Sequence, residues 1–312
     1  MARSLRIVYP GAFYHLTSRG NERKEIFKSE RDREKFLSYL ESATERYGAI
    51  IHVYCLMKNH YHLLMETPRG NLSEIMRHLN GAYTTYVNVK RKRSGHLLQG
   101  RYKAILVDAD EYAKELSRYL HLNPVRAGVV KKPEEYPWSS YRYYSGQKEA
   151  PKWLRRDVIL GYFGKKVSEG EKRYREFVEA MMGQEQRNPL KDVLFSTMLG
   201  SIDFVKEVTE KHLSHKKADR NVPALRGLSP KPPIEEIKKK AEEVFENDEG
   251  LAKKVSLYLC HRYSGRKLKE IGGYFGLGES GVSQASRRVR MKIEADKKLR
   301  RKVKDIEKRI DV

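Results

Sequence analysis

The chain has 312 residues, with 64 Lys or Arg against 41 Asp or Glu, so its net charge is +23 at pH 7. A hydrophobic fraction of 39% argues against a wholly disordered protein, and the two distant cysteines exclude a disulfide scaffold. No uncharged apolar run approaches the roughly 18 residues of a membrane span. We therefore expect a cytoplasmic protein of about two domains without a membrane partner. The basic charge favours a polyanionic partner such as DNA, and a merely soluble basic surface is the alternative.

The first part of the chain alternates strand and helix patterns. Strands are predicted over residues 12–19, 49–57, 60–66 and 102–107, and helices over residues 32–47, 72–89 and 111–122. The order β-α-β-β-α-β-α predicts an α+β sandwich, an antiparallel sheet with helices packed on one side. Lys58-Asn59 separates the second and third strands and predicts a hairpin turn, in which Asn tolerates a positive φ.

Beyond this sheet the pattern is mostly helical. Residues 148–221 read as helical, and residues 222–233 read as a linker that carries Pro223, Gly227, Pro230 and Pro232. From residue 234 onward, two apolar helical stripes flank Gly276-Leu277-Gly278, which is the pattern of a helix-turn-helix. The chain therefore divides into a predicted sheet domain over 1–147, a helical connecting region over 148–233 and an all-α domain over 234–312.

Two histidines, His60 and His62, stand one strand repeat apart in the third predicted strand. Side chains alternate along a strand, so both imidazoles lie on one face and Tyr61 lies on the other. Two imidazoles with this offset can chelate one divalent ion, although the spacing equally suits two ordinary surface histidines. By ligand softness alone, they favour zinc or manganese over magnesium.

A second candidate group follows the helix predicted over 111–122. Residues four apart on a helix share a face, so Tyr119 and Asn123 would project together and present a phenol and an amide oxygen. His121 points elsewhere and is expected to be structural. Most of the 20 tyrosines serve packing or surface roles, and the position four residues before Asn123 singles out Tyr119.

Taken together, motifs within residues 5–145 resemble the REP-associated tyrosine transposases, which are single-tyrosine members of the His-hydrophobe-His (HUH) superfamily of single-strand DNA endonucleases. The motifs are Tyr14-His15-Leu16-Thr17-Ser18-Arg19-Gly20-Asn21, His60-Tyr61-His62, Gln99-Gly100-Arg101-Tyr102-Lys103, Tyr119 with Asn123-Pro124-Val125-Arg126-Ala127-Gly128, and Trp138-Ser139-Ser140-Tyr141. The resemblance implies a ferredoxin-like transposase domain. It also implies a substrate of hairpin-forming, single-stranded repeat DNA.

The same resemblance assigns the site. It implies a magnesium or manganese ion held by His60 and His62, with Asn123 as the third ligand and Tyr119 as the nucleophile. Attack on a phosphodiester would leave a 5′-phosphotyrosine link and a free 3′-hydroxyl that can later reseal the strand. A phenol with a pKa near 10 is only about 0.1% ionised at pH 7, and a nearby ion can supply several kcal/mol toward the transition state.

Basic residues beside these motifs are expected to hold DNA phosphates, because arginine and lysine are the usual backbone contacts. They are Arg19, Arg23, Arg101, Lys103 and Arg126. Any one of them is equally compatible with a solvated surface charge.

The C-terminal domain resembles the DnaA-type helix-turn-helix through the segments 252–260 and 268–272. The resemblance implies that the helix with Arg287, Arg288 and Arg290 enters the major groove of duplex DNA. Glu279-Ser280-Gly281 departs from the Asp-His-Thr type signature of the initiators, so their target sequence does not carry over. A protein-binding helical bundle is the alternative.

The sequence thus predicts a metal-dependent tyrosine transposase that cleaves and rejoins single-stranded DNA. The alternatives are a non-cleaving DNA-binding regulator derived from a transposase, and a replication or conjugation initiator with the same chemistry. The sequence leaves a monomer and a homodimer equally open.

Overall fold

The structure is a computed structural model that describes residues 6–184, 188–194, 196–213, 232–246 and 248–310. The chain forms two compact units, Met1–Leu228 and Ser229–Val312, which are described separately. Most of the predicted linker 222–233 lies outside the described residues. No helix in the described ranges has the length and apolar character needed to cross a membrane.

A five-stranded sheet forms the centre of the first unit. Its strands are β1 (Ala12–Arg19), β2 (Ile50–Leu56), β3 (His60–Thr67), β4 (Lys103–Val107) and β5 (Met198–Leu199), in the spatial order β2-β3-β1-β4-β5. The first four strands are antiparallel, but β5 pairs with β4 in parallel, so the prediction of a purely antiparallel sheet is wrong. No strand is predicted at β5, because it has only two apolar residues and lies inside a mostly helical pattern.

Eight helices are described in this unit. They are α1 (Glu30–Tyr47), α2 (Leu72–Lys90), α3 (Ala109–His121), α4 (Asn123–Arg126), α5 (Tyr141–Tyr144), α6 (Asp157–Gly161), α7 (Val167–Glu179) and α8 (Ile202–His212). They cover both faces of the sheet: one core contains residues of α1, α2 and α8, and a second contains residues of α3, α5, α6 and α7. The prediction of helices on one side is therefore wrong.

The physical reason for two covered faces is visible in β3. Leu63 and Met65 belong to the α1 and α2 core, whereas Leu64 belongs to the α3 core. All three side chains are fully buried. Because neighbouring side chains on a strand point to opposite faces, three consecutive buried apolar residues require a helix layer on each side.

The packing of α1 against α2 is anchored by one buried carboxylate. Ser29 and Asp32 form a reciprocal capping box at the start of α1, and Gly48, with a φ of 67°, ends the helix. Asp32 is fully buried and pairs with Lys90 at 2.6 Å and Arg91 at 2.5 Å, at the far end of α2. The carboxylate thereby joins the beginning of one helix to the end of the other.

The hairpin between β2 and β3 is hydrogen-bonded to the loop that follows β1. The carbonyl of Asn59 accepts a hydrogen bond from the Gly20 N–H at 2.8 Å, and the Asn59 side-chain nitrogen donates to the carbonyl of Arg23 at 3.0 Å. Asn59 itself has no positive φ; this conformation falls on Glu22 and Arg23 of the neighbouring loop. The turn therefore does not use the left-handed conformation that the sequence suggested.

The second unit is helical throughout its described residues. Its helices are α9 (Ile234–Val244), α10 (Glu249–Tyr263), α11 (Leu268–Phe275), α12 (Glu279–Ala295) and α13 (Lys297–Arg309). Gly276, with a φ of 72°, ends α11, and three residues separate this helix from α12. A Cβ atom on Gly272 would lie 2.3 Å from the Leu277 carbonyl oxygen, so the tight turn depends on a glycine there.

Candidate functional site

The sheet face that α3 covers carries the two predicted metal-binding histidines. Strand register places Cys55, His62 and Thr17 opposite one another on β2, β3 and β1, and Lys103 of β4 lies opposite Thr17. Directly opposed residues share a face, so these four side chains form one row across the sheet. Leu64, two residues after His62, packs in the α3 core, which places the row and His60 on the α3 side.

Each of the two histidines has one ring nitrogen engaged by a neighbour. The Nδ1 atom of His60 lies 2.6 Å from the side-chain oxygen of Asn59, and the Nδ1 atom of His62 lies 2.9 Å from Nε2 of His15. The two rings are 5.0 Å apart between centroids and almost perpendicular. Within the described residues no group is hydrogen-bonded to either Nε2 atom, so both are available for a ligand.

Both histidines are held neutral. Burial, followed by the positive charge of Arg19, lowers the pKa of His60 to about 4. Burial also holds the pKa of His62 well below its ordinary value, with further contributions from His15, His60, Arg19 and Arg126. Neutral imidazole is the form that donates a lone pair to a metal.

This donor set fits a divalent cation. Ligating histidines normally give their second ring N–H to an acceptor, and His60 and His62 each have such a partner at Nδ1. The described ranges contain no group of three or more His, Cys, Asp or Glu side chains that could hold a metal. A side-chain amide oxygen is a further ligand type that suits manganese and magnesium.

Tyr119 lies near the end of α3, the helix over this face. Its side chain is only 7% exposed and belongs to the same core as Leu64. The guanidinium carbon of Arg126 lies 4.3 Å from the Tyr119 ring centroid. Within the described residues, the Tyr119 hydroxyl donates to and accepts from no other group, so no internal hydrogen bond holds the oxygen.

Asn123 begins the short helix α4, one residue after the end cap of α3. Its side-chain oxygen accepts a long hydrogen bond of 3.5 Å from Arg126, and its side-chain nitrogen is buried without a partner in the described residues. The amide is therefore not locked by internal hydrogen bonds. Arg126 contacts both Tyr119 and Asn123 and contributes to the lowered pKa of His62, so it links the helix group to the strand group.

The predicted phosphate-binding residues are distributed unevenly around the histidines. Arg19 lies opposite His60 in the strand register and is exposed, and Lys103 is exposed at the start of β4 on the same face. Arg23 and Arg101 are exposed in the loops that follow β1 and precede β4. Arg287, Arg288 and Arg290 are exposed on α12 of the second unit.

His121 has a different environment. It is fully buried, with Nδ1 2.6 Å from the Tyr174 hydroxyl and Nε2 2.7 Å from the Ser140 hydroxyl. Burial lowers its pKa to about 3. Both nitrogens are used inside the core, so this histidine joins α3 to α5 and α7 rather than offering a ligand.

The sequence reasoning missed His15. This residue stands in the first motif, two positions before Thr17, and contacts His62 directly. Because side chains alternate along β1, the sequence already indicates that His15 shares a face with Thr17 and Arg19. Only the register between β1 and β3 brings His15 into contact with His62. No single-strand pattern contains that information.

The comparisons with known proteins concern the first unit. The family described as "Transposase IS200 like" matches residues 9–123, so this segment is similar to that family. His60, His62, Tyr119 and Asn123 all lie within it. No curated protein matches the chain. One solved structure, of a REP-associated tyrosine transposase bound to a REP hairpin, is 17% identical over 51% of this chain and 93% of that chain, with a TM-score of 0.42.

Proposed function

We propose that the first unit is a ferredoxin-like, single-tyrosine HUH transposase that cleaves and rejoins single-stranded DNA. One observation carries the proposal: within the matched segment, two neutral histidines with available Nε2 atoms lie on the sheet face covered by the helix of Tyr119. A pair of imidazole ligands and a phenol without an internal hydrogen bond, both on one side of the sheet, suit metal-assisted phosphodiester chemistry. A binding-only protein needs neither group.

In the proposed reaction, the Tyr119 oxygen attacks a DNA phosphorus atom. The resulting phosphotyrosine ester joins the protein to the 5′ end of the cleaved strand. The bond between phosphorus and the 3′ oxygen breaks. The phenol loses its proton, and the departing 3′ oxygen takes up a proton and becomes a hydroxyl. The covalent ester conserves the phosphodiester for rejoining, which hydrolysis would lose. Arg126, stacked on the phenol ring, lies where it can stabilise negative charge on the phenolate or the phosphate.

His60 and His62 would hold the cation through Nε2, and the Asn123 amide oxygen would be the third protein ligand. A bound magnesium or manganese ion polarises the phosphate and neutralises charge that develops in the transition state. Manganese suits two imidazoles better than magnesium does, because imidazole is the softer ligand type. The unpartnered Asn123 nitrogen supports this role, since the amide can turn without breaking a strong internal hydrogen bond.

Arg19, Arg23, Arg101, Lys103 and Arg126 would bind phosphates of the strand that enters the site. All five are exposed, and the register places Arg19 directly beside His60. That the strand forms a hairpin is proposed from the motif resemblance. Hairpin recognition would need a basic groove together with shape recognition.

For the second unit we propose duplex DNA binding by a DnaA-type helix-turn-helix. Arg287, Arg288 and Arg290 are exposed on α12, which follows the three-residue turn. The last helix, α13, adds a basic stripe at positions 297, 301, 304 and 308, all exposed and without an ion pair in the described residues. This spacing lies on one helical face, opposite the buried Leu299, Val303 and Ile306. A protein-binding bundle would not need such a charge distribution.

A labelled single-stranded hairpin incubated with the full chain and Mn²⁺ tests the proposal. We expect a covalent protein–DNA adduct that survives denaturation and is lost in Tyr119→Phe. Tyr112→Phe, on the same helix, is the matched control and should keep the adduct. Stable binding by the wild type with no adduct at any Mn²⁺ concentration would contradict cleavage and favour the regulator.

A further inference from the structure

We propose that His15 is a positioning residue that sets the ring orientation and tautomer of His62, so that Nε2 of His62 faces the cation. This inference rests on the proposed function, because it assigns a role relative to a metal ligand. Its evidence is the geometry of a buried pair of histidines on neighbouring strands.

The contact is direct and enclosed. Nε2 of His15 lies 2.9 Å from Nδ1 of His62, and the two rings are nearly parallel, with centroids 5.2 Å apart. His15 is only 1% exposed. It therefore cannot contact a DNA strand, and its nearer nitrogen is already engaged by His62, so it is neither a DNA contact nor a further ligand.

A hydrogen bond between two neutral imidazoles has two arrangements. If Nδ1 of His62 carries the proton and donates it, then Nε2 of His62 has a free lone pair and can bind a cation. If Nε2 of His15 donates instead, then Nε2 of His62 carries its own proton and cannot bind one. Each ring holds one proton in both arrangements, so the ligand competence of His62 depends on which ring is the donor.

His60 differs from His62 in this respect. Its Nδ1 contacts the side-chain oxygen of Asn59, which only accepts, and the Asn59 nitrogen donates to the Arg23 carbonyl. That second hydrogen bond fixes the orientation of the amide, so the tautomer of His60 is determined locally. Among the described residues no such oxygen contacts Nδ1 of His62, and the residue at position 15 decides its state.

The remaining nitrogen of His15 supports a polar rather than a purely packing role. Its Nδ1 is buried and has no hydrogen-bond partner among the described residues. Burying an unpartnered polar atom is unfavourable, and an apolar side chain of similar size would avoid it. The imidazole at this position therefore costs stability, and its compensating contact is the one with His62.

The test measures Mn²⁺ affinity of the full chain by electron paramagnetic resonance of the free ion, without DNA. His15→Phe keeps a ring but removes the acceptor, and we expect about 10- to 100-fold weaker binding, as for other outer-shell partners. His15→Gln supplies an amide oxygen and should recover most of the affinity. His52→Phe and His52→Gln are the controls, because His52 is equally buried on β2 and stacks on Phe13.

Nitrogen NMR of the metal-free protein reads the tautomer directly. We expect the proton of His62 on Nδ1 in the wild type, and a shift toward the Nε2-protonated form in His15→Phe. A merely structural role would lower the melting temperature of His15→Phe and leave both the Mn²⁺ affinity and the His62 tautomer unchanged, which would overturn the inference.

The outcomes separate the two proposals. A wild-type chain that binds no Mn²⁺ contradicts the metal site. The His62 tautomer in wild type and His15→Phe then still tests the role of His15, because that comparison needs no metal. Mn²⁺ binding that is equal in wild type and folded His15→Phe overturns the positioning role alone. If His15→Phe fails to fold, His15→Leu, which also lacks the acceptor, takes its place, and an Mn²⁺ affinity equal to that of His15→Gln would overturn the positioning role.

Discussion

The guanidinium carbon of Arg126 lies 4.3 Å from the centre of the Tyr119 ring, and the same side chain reaches the Asn123 amide. A cation over a phenol ring is attracted to it, and the attraction grows when the phenol becomes a phenolate. Arg126 therefore connects the proposed nucleophile to a proposed metal ligand.

Replacing this arginine should slow cleavage. We expect Arg126→Met to reduce the rate of covalent adduct formation by about tenfold, because it removes the cation beside the developing charge while keeping side-chain length. Single-turnover adduct formation at saturating DNA measures the effect. Arg126→Lys keeps the charge and should be less impaired; equal rates for all three proteins would argue against a role at the phenol.

Removing either strand histidine should separate cleavage from binding. His60→Ala or His62→Ala is expected to abolish adduct formation and to change hairpin affinity only slightly, because each loses a proposed ligand but no phosphate contact. Gel shifts and adduct assays on the same samples give both values. Wild type treated with EDTA is the control, and cleavage that persists in EDTA-treated mutants would show that the metal assignment is wrong.

The salt dependence of duplex binding tests the second unit. Each phosphate contact that is lost should reduce the slope of log K against log salt by about 0.9. We therefore expect a flatter slope for Arg287→Gln and Arg288→Gln. Lys239→Gln, an exposed cation on α9, is the control and should leave the slope unchanged. Identical slopes for all variants would favour protein contacts for α12.

The carboxylate of Asp32 should matter for stability rather than activity. Burial alone would raise its pKa, but hydrogen bonds from Lys90, the backbone of Lys28 and Arg91 outweigh burial and hold the pKa well below its ordinary value. Asp32→Asn leaves two cations without their partner, and we expect a loss of about 3 kcal/mol in the free energy of unfolding. Urea denaturation at pH 7 measures it; Asp203→Asn, at an exposed site, should cost little.

The buried His121 predicts a pH dependence of stability. Its folded pKa is about 3, whereas an unfolded histidine titrates near 6.5. As the pH falls below about 6.5, the histidine binds a proton in the unfolded chain but not in the folded chain. The free energy of unfolding is therefore highest above this pH and declines toward pH 3. His121→Asn should flatten the slope by up to about 1.4 kcal/mol per pH unit; an unchanged slope between pH 7 and 5 would contradict this.

Much of the first unit follows from local patterns. Strand β1 occupies the residues predicted for it, and β3 and α2 each extend the predicted range by one residue. The alternation of His60 and His62 needs only the strand period, and the basic charge of both units needs only composition. Such features depend on residues that are close together in the chain, so they can be predicted from the sequence.

Tertiary structure alone decided the rest. The parallel strand β5, the helices on both faces and the contact between His15 and His62 each depend on which segments meet across dozens of residues. A side-chain period fixes the face of each strand but not the register between strands, and a single register brings the His15 ring to the Nδ1 atom of His62. The sequence therefore determined which residues carry the chemistry, and the sheet register determined which of them touch.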